Sequence, residues 1–407
     1  MAFGDNPVDP ELKEGWDAFC DQLKSAADYV FKDESGSSDG ERTNAFRYLT
    51  QNLSQAFDVW LENRDTRYPT VHAFCSPTRK IGCDNADCIY LQSWINDRDT
   101  YKISGNKGTA KMFNIAVQGP WRATLHEPFG DTPVANVFGH EIETDWDGNF
   151  TVWISPQPHE GNWIRSVPGT RKIFYRQYFD TWDEVPASYR IERIGQTGEP
   201  PPAIEPATLL DAFKDAGDFC VNVVKDWPDT LWERENTRGV LNELVRYGGP
   251  AKLDKFESLD ARRGRVIATM NWAIEPDEAL IMEFTSEPHW FWQLTACTVF
   301  GASLEFRYRQ VNLTSGMAPV DPDGVTRVIL SHTDPGVANW IDIQGHTRGW
   351  LYFRNMLVRD VPDTTCRLVK RADLDQETNG LATKITPAER TAELRRRRDA
   401  YLRRFPY

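Results

Sequence analysis

Apolar residues recur every three to four positions over ELKEGWDAFCDQLKSAADYVF, which places Trp16, Phe19, Leu23 and Ala27 on one side of a helix. After the polar stretch KDESGSSDGER the same period returns in TNAFRYLTQNLSQAFDVWLEN, through Phe46, Leu49, Leu53, Phe57 and Trp60. From Tyr90 to Ile194 the period drops to two. TYKISG, KMFNIAVQG, FTVWISP and IFYRQYF read as strands separated by Gly, Pro, Asn and Asp turns. GQTGEPPPAIEPAT reads as a Pro-rich linker, and LLDAFKDAGDFCVNVVKDW and TRGVLNELVRY read as helical. A second strand-rich block runs from Arg265 to Lys370. The tail TPAERTAELRRRRDAYLRRF carries helix start signals: Thr386 suits the N-cap, Pro387 the first helical position, and Glu389 completes a capping box.

These periods divide the chain into a helical region over 1–66, a β module over 67–195, a linker with helix over 196–260, a second β module over 261–372 and a C-terminal helix over 373–407. The expected class is mainly β with helical additions, an α+β chain built on two related sandwich-like or jelly-roll-like modules.

The modules are related because they repeat. DWDGNFTVWIS from Asp145 matches DPDGVTRVILS from Asp321, and Asn162-Trp163-Ile164 matches Asn339-Trp340-Ile341. Gly169 and Gly345, Arg171 and Arg348, Tyr175 and Tyr352, Pro186 and Pro362, and Arg190 and Arg367 extend the alignment. The Asp-x-Asp-Gly step is read as a hairpin turn, with Asp as side-chain acceptor and Gly at positive φ; it lacks the acids and spacing of a calcium loop. The Asn-Trp step is read as a loop anchor, with Trp163 and Trp340 as equivalent aromatic platforms in a binding reading.

Composition narrows the function classes. The formal charge of −13 argues against nucleic acid and anionic membranes, and no apolar run is long enough to span a bilayer. The acidic start lacks the apolar core of a secretory signal, and seven cysteines without paired zinc-ribbon spacing read as reduced thiols. A cytoplasmic location follows from both. No dinucleotide glycine fingerprint is present, so no cofactor is expected; seven scattered His argue against a His-based metal site, while Asp84 and Asp87 leave an oxygen-ligated cation open. Gly36-Ser-Ser-Asp-Gly40 matches a nucleophile-elbow pattern but falls between helices, where that motif does not work.

The stretch GCDNADCIYLQSWINDRDTYKISGNKG, Gly82 to Gly108, resembles a Gly-x-Asp-Asn-Pro-Asp-x-x-Tyr signature followed by a Tyr-Arg-Ile-x-Gly strand. That signature is similar to bacterial proteins of the domain-of-unknown-function family numbered 1214, and HWFWQL and the two Asn-Trp-Ile stretches fit it too. Ala86 stands where Pro is usual and His289 where an aromatic is usual. The resemblance implies an all-β sandwich or jelly-roll core with helical additions and supplies no reaction.

Two function classes are expected. In the first, Asp84 or Asp87 acts as general acid/base, with Tyr90 and His289, on a small lipophilic substrate: dehydration, isomerisation or hydrolysis without a cofactor. EPHWFWQL is read as a strand with His289, Phe291 and Gln293 on one face and Trp290 and Trp292 on the other, lining the ligand or a homodimer interface. LEFRYRQ is read as a strand offering Arg307 and Tyr308 to the ligand, and IFYRQYF places Arg176 in a comparable pattern. The second class is a non-catalytic protein that binds a ligand or carbohydrate. For the arginine run Arg395–Arg398, acidic surface on this chain or a partner subunit is the expected counterpart.

Overall fold

The computed structural model describes residues 10–31, 39–121, 131–196, 198–232, 239–246, 265–356 and 361–405. Three of the five residues of the Gly36–Gly40 motif lie outside them. Helices α1 (Pro10–Val30), α2 (Asp39–Phe57) and α3 (Pro206–Trp232) pack together through Phe19, Phe57 and Phe213, whose rings lie 5.3–6.2 Å apart. A π-helical turn, Asp58–Glu62, extends α2 and buries Trp60.

The first module begins with β1 (His72–Cys75), β2 (Cys88–Trp94), β3 (Tyr101–Asn106), β4 (Met112–Trp121) and β5 (Asp131–Phe138). It ends with β6 (Asn149–Ser155), β7 (Asn162–Arg165), β8 (Lys172–Tyr178) and β9 (Ser188–Arg193). The second contains β10 (Val245–Arg246), β11 (Arg265–Ala273), β12 (Glu278–Phe284), β13 (Phe291–Cys297), β14 (Asn312–Thr314), β15 (Thr326–Ser331), β16 (Trp340–Asp342), β17 (Arg348–Met356) and β18 (Thr364–Lys370). A short α4 (Leu374–Glu377) and α5 (Pro387–Arg404) follow. Thr386 caps α5 as expected: its hydroxyl accepts from Glu389 N at 3.2 Å, and the Glu389 carboxylate accepts from Thr386 N at 2.8 Å.

Each module is a five-stranded sheet over a four-stranded one, and the strand orders are the same. β1-β2-β8-β4-β5 answers β10-β11-β17-β13-β14, and β7-β6-β3-β9 answers β16-β15-β12-β18. In both, one parallel pair joins an otherwise antiparallel sheet: β6 with β7, and β15 with β16. Trp163 sits opposite Trp153, and Trp340 opposite Ile329. Each indole N–H reaches its own module's serine carbonyl, Ser155 O at 3.3 Å and Ser331 O at 3.2 Å. The opening turns match as well. Gly148 and Gly324 have φ of 83° and 84°, and each donates back to the first Asp of its turn. The chain is therefore an internal duplication of a β-sandwich with helical additions.

Strand parity corrects two of the aligned pairs. Tyr175 points into the first core with Ile173, whereas Tyr352 points out of the second; Leu351 and Phe353 point in. Register makes Phe353 the counterpart of Tyr175, so Arg354 is the counterpart of Arg176. A one-residue slip exchanges the two faces of a strand, which similarity of residue type cannot detect. Arg190 is likewise answered by Thr365, not by Arg367.

Three element assignments also change. TRGVLNELVRY is not helical where described: residues 239–244 form turns leading into β10. EPHWFWQL becomes strand only at Phe291, with His289 in an exposed turn before it. LEFRYRQ is a turn rather than a strand, since Phe306 to Tyr308 close a loop.

Between the modules the outward faces of the two five-stranded sheets meet. Met112 and Tyr178, a cross-strand pair, share an apolar cluster with their counterparts Phe291 and Met356. Equivalent positions thus face each other, as in an interface between two copies of one subunit.

Candidate functional site

The segment after Ile81 enters this seam. Two successive left-handed residues, Gly82 (φ 65°) and Cys83 (φ 57°), turn the chain beneath the second module, and Cys83 N donates to Gly301 O at 2.6 Å. Left-handed backbone is costly for a non-glycine residue and persists only where surroundings impose it. Asn85 then forms an Asx turn by accepting from Asp87 N at 2.9 Å. Its amide donates to Gln293 Oε1 at 2.5 Å, and its oxygen accepts from Thr295 Oγ1 at 3.1 Å.

Asp84 and Asp87 are both buried, and each is closed by protein partners. Asp84 accepts from Ser303 N at 2.8 Å and from Ser303 Oγ at 2.6 Å, with Lys80 and Arg354 as nearby positive charge. Asp87 accepts from the Asn312 amide and from Arg404 Nη1 at 3.4 Å. Burial raises both carboxyls above the ordinary range, against the pull of these cations and donors. Lys80 is itself buried and donates to Ser303 O and Leu304 O, both at 2.6 Å. Tyr90 accepts from Asn85 N at 3.2 Å, and burial pushes its hydroxyl well above the usual phenol range.

The arginine tail completes the arrangement. Arg390, Arg397 and Arg404 are buried seven residues apart, so they project from one side of α5. Arg390 reaches Asp334 at 3.0 Å and Gln310 at 2.7 Å, Arg397 holds the Asn312 side chain and carbonyl, and Arg404 meets Asp87 and Thr181 O. Arg395, Arg396 and Arg398 are exposed. The run is therefore split: one arginine of four enters the molecule, and its register with Arg390 and Arg404 matters more than its neighbours.

The expected site residues do not converge. His289 is exposed in its turn, and Trp290 is half-buried beside it. Trp292 lies in the second core against Phe284 and Phe353. Arg307 is paired with Glu305 at 2.6 and 2.5 Å, and Tyr308 is exposed near Arg398. Trp163 is half-buried, whereas Trp340 is covered: Arg390 stands 5.5 Å over its ring, and Leu374 and Ala382 close the same apolar cluster. The two tryptophans are equivalent in register but not in exposure.

A cleft of about 210 Å³ lies where Thr181, Trp182 and Asp183 meet Leu313, Met317 and the α5 residues Glu393 and Arg397. It is smaller than the few hundred Å³ that a drug-sized ligand fills. Among the described residues, no three His, Cys, Asp or Glu side chains group as metal ligands, and no helix is long and apolar enough to cross a membrane.

A second row in the seam joins Tyr90 and Arg176, which the sequence offered in separate motifs, with Asn114, which it did not. Tyr90, Arg176 and Asn114 are direct neighbours across β2, β8 and β4. Arg176 is half-buried with its guanidinium 5.1 Å from the Phe174 ring, and it has no carboxylate partner among the described residues. Asn114 is 2% exposed; its amide donates to Asn136, but its Oδ1 has no hydrogen-bond partner. Phe74 stacks on Phe174 at 4.7 Å and meets Tyr90 edge-on at 6.1 Å, giving the row an aromatic wall. The residue missed is Asn114, whose available signal was an asparagine inside the alternating strand KMFNIAVQG.

No family model matches the chain, and no curated protein matches it. Among solved structures, the chain is similar to an uncharacterised protein from Burkholderia cenocepacia, at 26% identity and a TM-score of 0.80 over 89% of this chain and 99% of that one. The VPA0106 protein from Vibrio parahaemolyticus is 12% identical with a TM-score of 0.45, over 85% of this chain and all of that one. The first likeness spans both modules, so the two-module arrangement is shared.

Proposed function

We propose that this protein is a non-catalytic ligand-binding β-sandwich protein that holds a small lipophilic molecule at the module seam, against Tyr90, Arg176 and Asn114. One observation carries the reading. Among the described residues, a half-buried guanidinium without an anion stands beside a buried amide oxygen without a donor, on a face walled by Phe74 and Phe174. Leaving the buried amide oxygen unsatisfied costs about 1–3 kcal/mol, a cost that a bound molecule removes.

Acid–base chemistry at Asp84 or Asp87 has less support, because each carboxylate is occupied by donors that hold the fold together. The test is native mass spectrometry of the full-length protein, with and without prior extraction into organic solvent. An extractable small-molecule adduct, diminished in Arg176→Met, is the expected result. If no adduct forms even after incubation with a panel of small aromatic and alicyclic compounds, the reading fails.

A further inference from the structure

We infer that the Tyr90–Arg176–Asn114 row is a carboxylate site, and that its ligand is a small aromatic hydroxy acid; this rests on the ligand-binding reading above and names the ligand's class. The argument comes from the duplication. Register aligns the row with Ile267–Arg354–Gln293 in the second module, where the strands β11, β17 and β13 take the places of β2, β8 and β4. One step along, Asn136 is answered by Asn312, because Asn136 pairs with Ala116 and Asn312 with Thr295.

In the second module this constellation is filled by the protein itself. Arg354 donates to Cys83 O, Gln293 donates to Asp87 O at 3.2 Å and accepts from Asn85, and Asn312 donates to the Asp87 carboxylate. The occupant is an acidic segment that brings acceptors to the arginine and a donor to the amide oxygen. Even the cation–ring stack is duplicated: Arg354 lies 3.7 Å from the Tyr352 ring, as Arg176 lies 5.1 Å from that of Phe174.

The first module keeps an arginine and two amides in the same places, yet among the described residues its arginine meets no carboxylate and Asn114 Oδ1 meets no donor. What complements them is one molecule with an anion for Arg176 and an O–H for Asn114. A carboxylate suits the guanidinium fork, and an α-hydroxyl beside it reaches a cross-strand neighbour about 5 Å away. Phe74 and Phe174, stacked on each other and buried, and the partly buried Tyr90 give the row an apolar border against which an aromatic ring packs edge-on. The corresponding place opposite Gln293 cannot take a free ligand, since the Asn85–Asp87 segment already occupies it.

The experiment titrates the full-length protein calorimetrically with mandelate, phenylacetate and 1-phenyl-1,2-ethanediol, which share a ring and differ in carboxylate and hydroxyl. Mandelate binds; phenylacetate binds about tenfold more weakly for want of the hydroxyl; the diol binds at least about a hundredfold more weakly for want of the charge. Arg176→Met abolishes mandelate binding, Arg176→Lys weakens it, and Asn114→Ala brings mandelate down to the level of phenylacetate. Circular dichroism on each variant separates loss of site from loss of fold, and the lysine variant serves if methionine does not fold. Equal binding of diol and mandelate keeps a lipophilic ligand at the seam and overturns the carboxylate. Mandelate binding unchanged in Arg176→Lys and Asn114→Ala also overturns it. Failure of all three probes overturns this inference, while the ligand-binding reading falls only if the mass-spectrometric panel also yields no adduct.

Discussion

Arg176 and Arg354 hold the same place in the two copies of the module, and their engagements differ. Arg354 is buried and donates to the Cys83 carbonyl of the segment docked beneath it, while Arg176 is half-buried and has the Phe174 ring as its neighbour. Duplication produced two like surfaces. The Gly82–Asp87 segment covers the one around Arg354, whereas on the other Phe174 packs into the helical cluster and Arg176 stays half-buried beside it.

That difference predicts unequal costs for one substitution. Arg354→Met removes a buried cation from beside Asp84 and is expected to destabilise by about 3 kcal/mol. Arg176→Met removes no ion pair and is expected to stay within about 1 kcal/mol. Urea unfolding of both variants checks this; equal losses would mean that Arg176 has a structural partner after all.

The Asp87 contacts predict a coupled pair. Asp87→Asn leaves Arg397 and Arg404 facing a neutral amide, and Arg404→Met leaves Asp87 without its ion-pair partner. Each is expected to cost about 3 kcal/mol, and the double variant clearly less than the sum, because the second change removes a charge already uncompensated. Additive losses in a double-mutant cycle would show that residues 87 and 404 act independently.

Much of this fold was legible in the chain. The stretch IFYRQYF forms β8 from Lys172 to Tyr178 and the α5 cap sits at Thr386, because alternation and capping are local signals. The repeat was legible at Asp145/Asp321 and Trp163/Trp340, where turn chemistry and a rare residue fix the match. It failed at Tyr175/Tyr352, since nothing in residue type records which side of a strand faces the core. The site was read less well. Asp84, Asp87 and Tyr90 do occupy the seam, but the partners of the two carboxylates, Ser303, Asn312 and Arg404, lie more than 200 residues away. His289 and Arg307 were misplaced because each was assigned to a strand that begins later or is a loop. The seven-residue spacing of Arg390, Arg397 and Arg404 was present in the tail, hidden by the consecutive run around its middle member.

A third expectation compares Gln177 with its counterpart Asn355. Gln177 clips the strand that follows it, donating to Ala187 O at 3.0 Å and accepting from Ala187 N at 2.6 Å. Asn355 is one methylene shorter and fully buried, and among the described residues neither of its amide atoms has a partner. Asn355→Gln is expected to donate to the Pro362 carbonyl, the counterpart of Ala187 O, but not to accept there because proline has no N–H, and so to stabilise by less than about 1 kcal/mol, read as a small rise in Tm. A fall in Tm would show that the second core has no room for the extra carbon.

Acid sensitivity is expected to depend on His72, at the edge of the first five-stranded sheet. Burial pushes this imidazole down to about 4, with the Asp58 charge opposing the shift. The Gln92 amide lies 3.0 Å from Nε2, so the unprotonated ring nitrogen accepts there, and a proton on it would break the bond. The unfolded chain then binds a proton near pH 6.5 that the folded chain refuses, so the stability is complete above about 6.5 and is lost as pH falls toward 4. Because the ring is partly exposed, the loss is about 1–2 kcal/mol rather than the full value of the shift. His346 is lowered by burial as well and acts in the same direction, so only a difference isolates His72. His72→Gln is expected to flatten the stability profile between pH 6.5 and 4 while leaving the His346 share in place. Parallel profiles for wild type and variant, measured by urea unfolding, would remove His72 from the acid response.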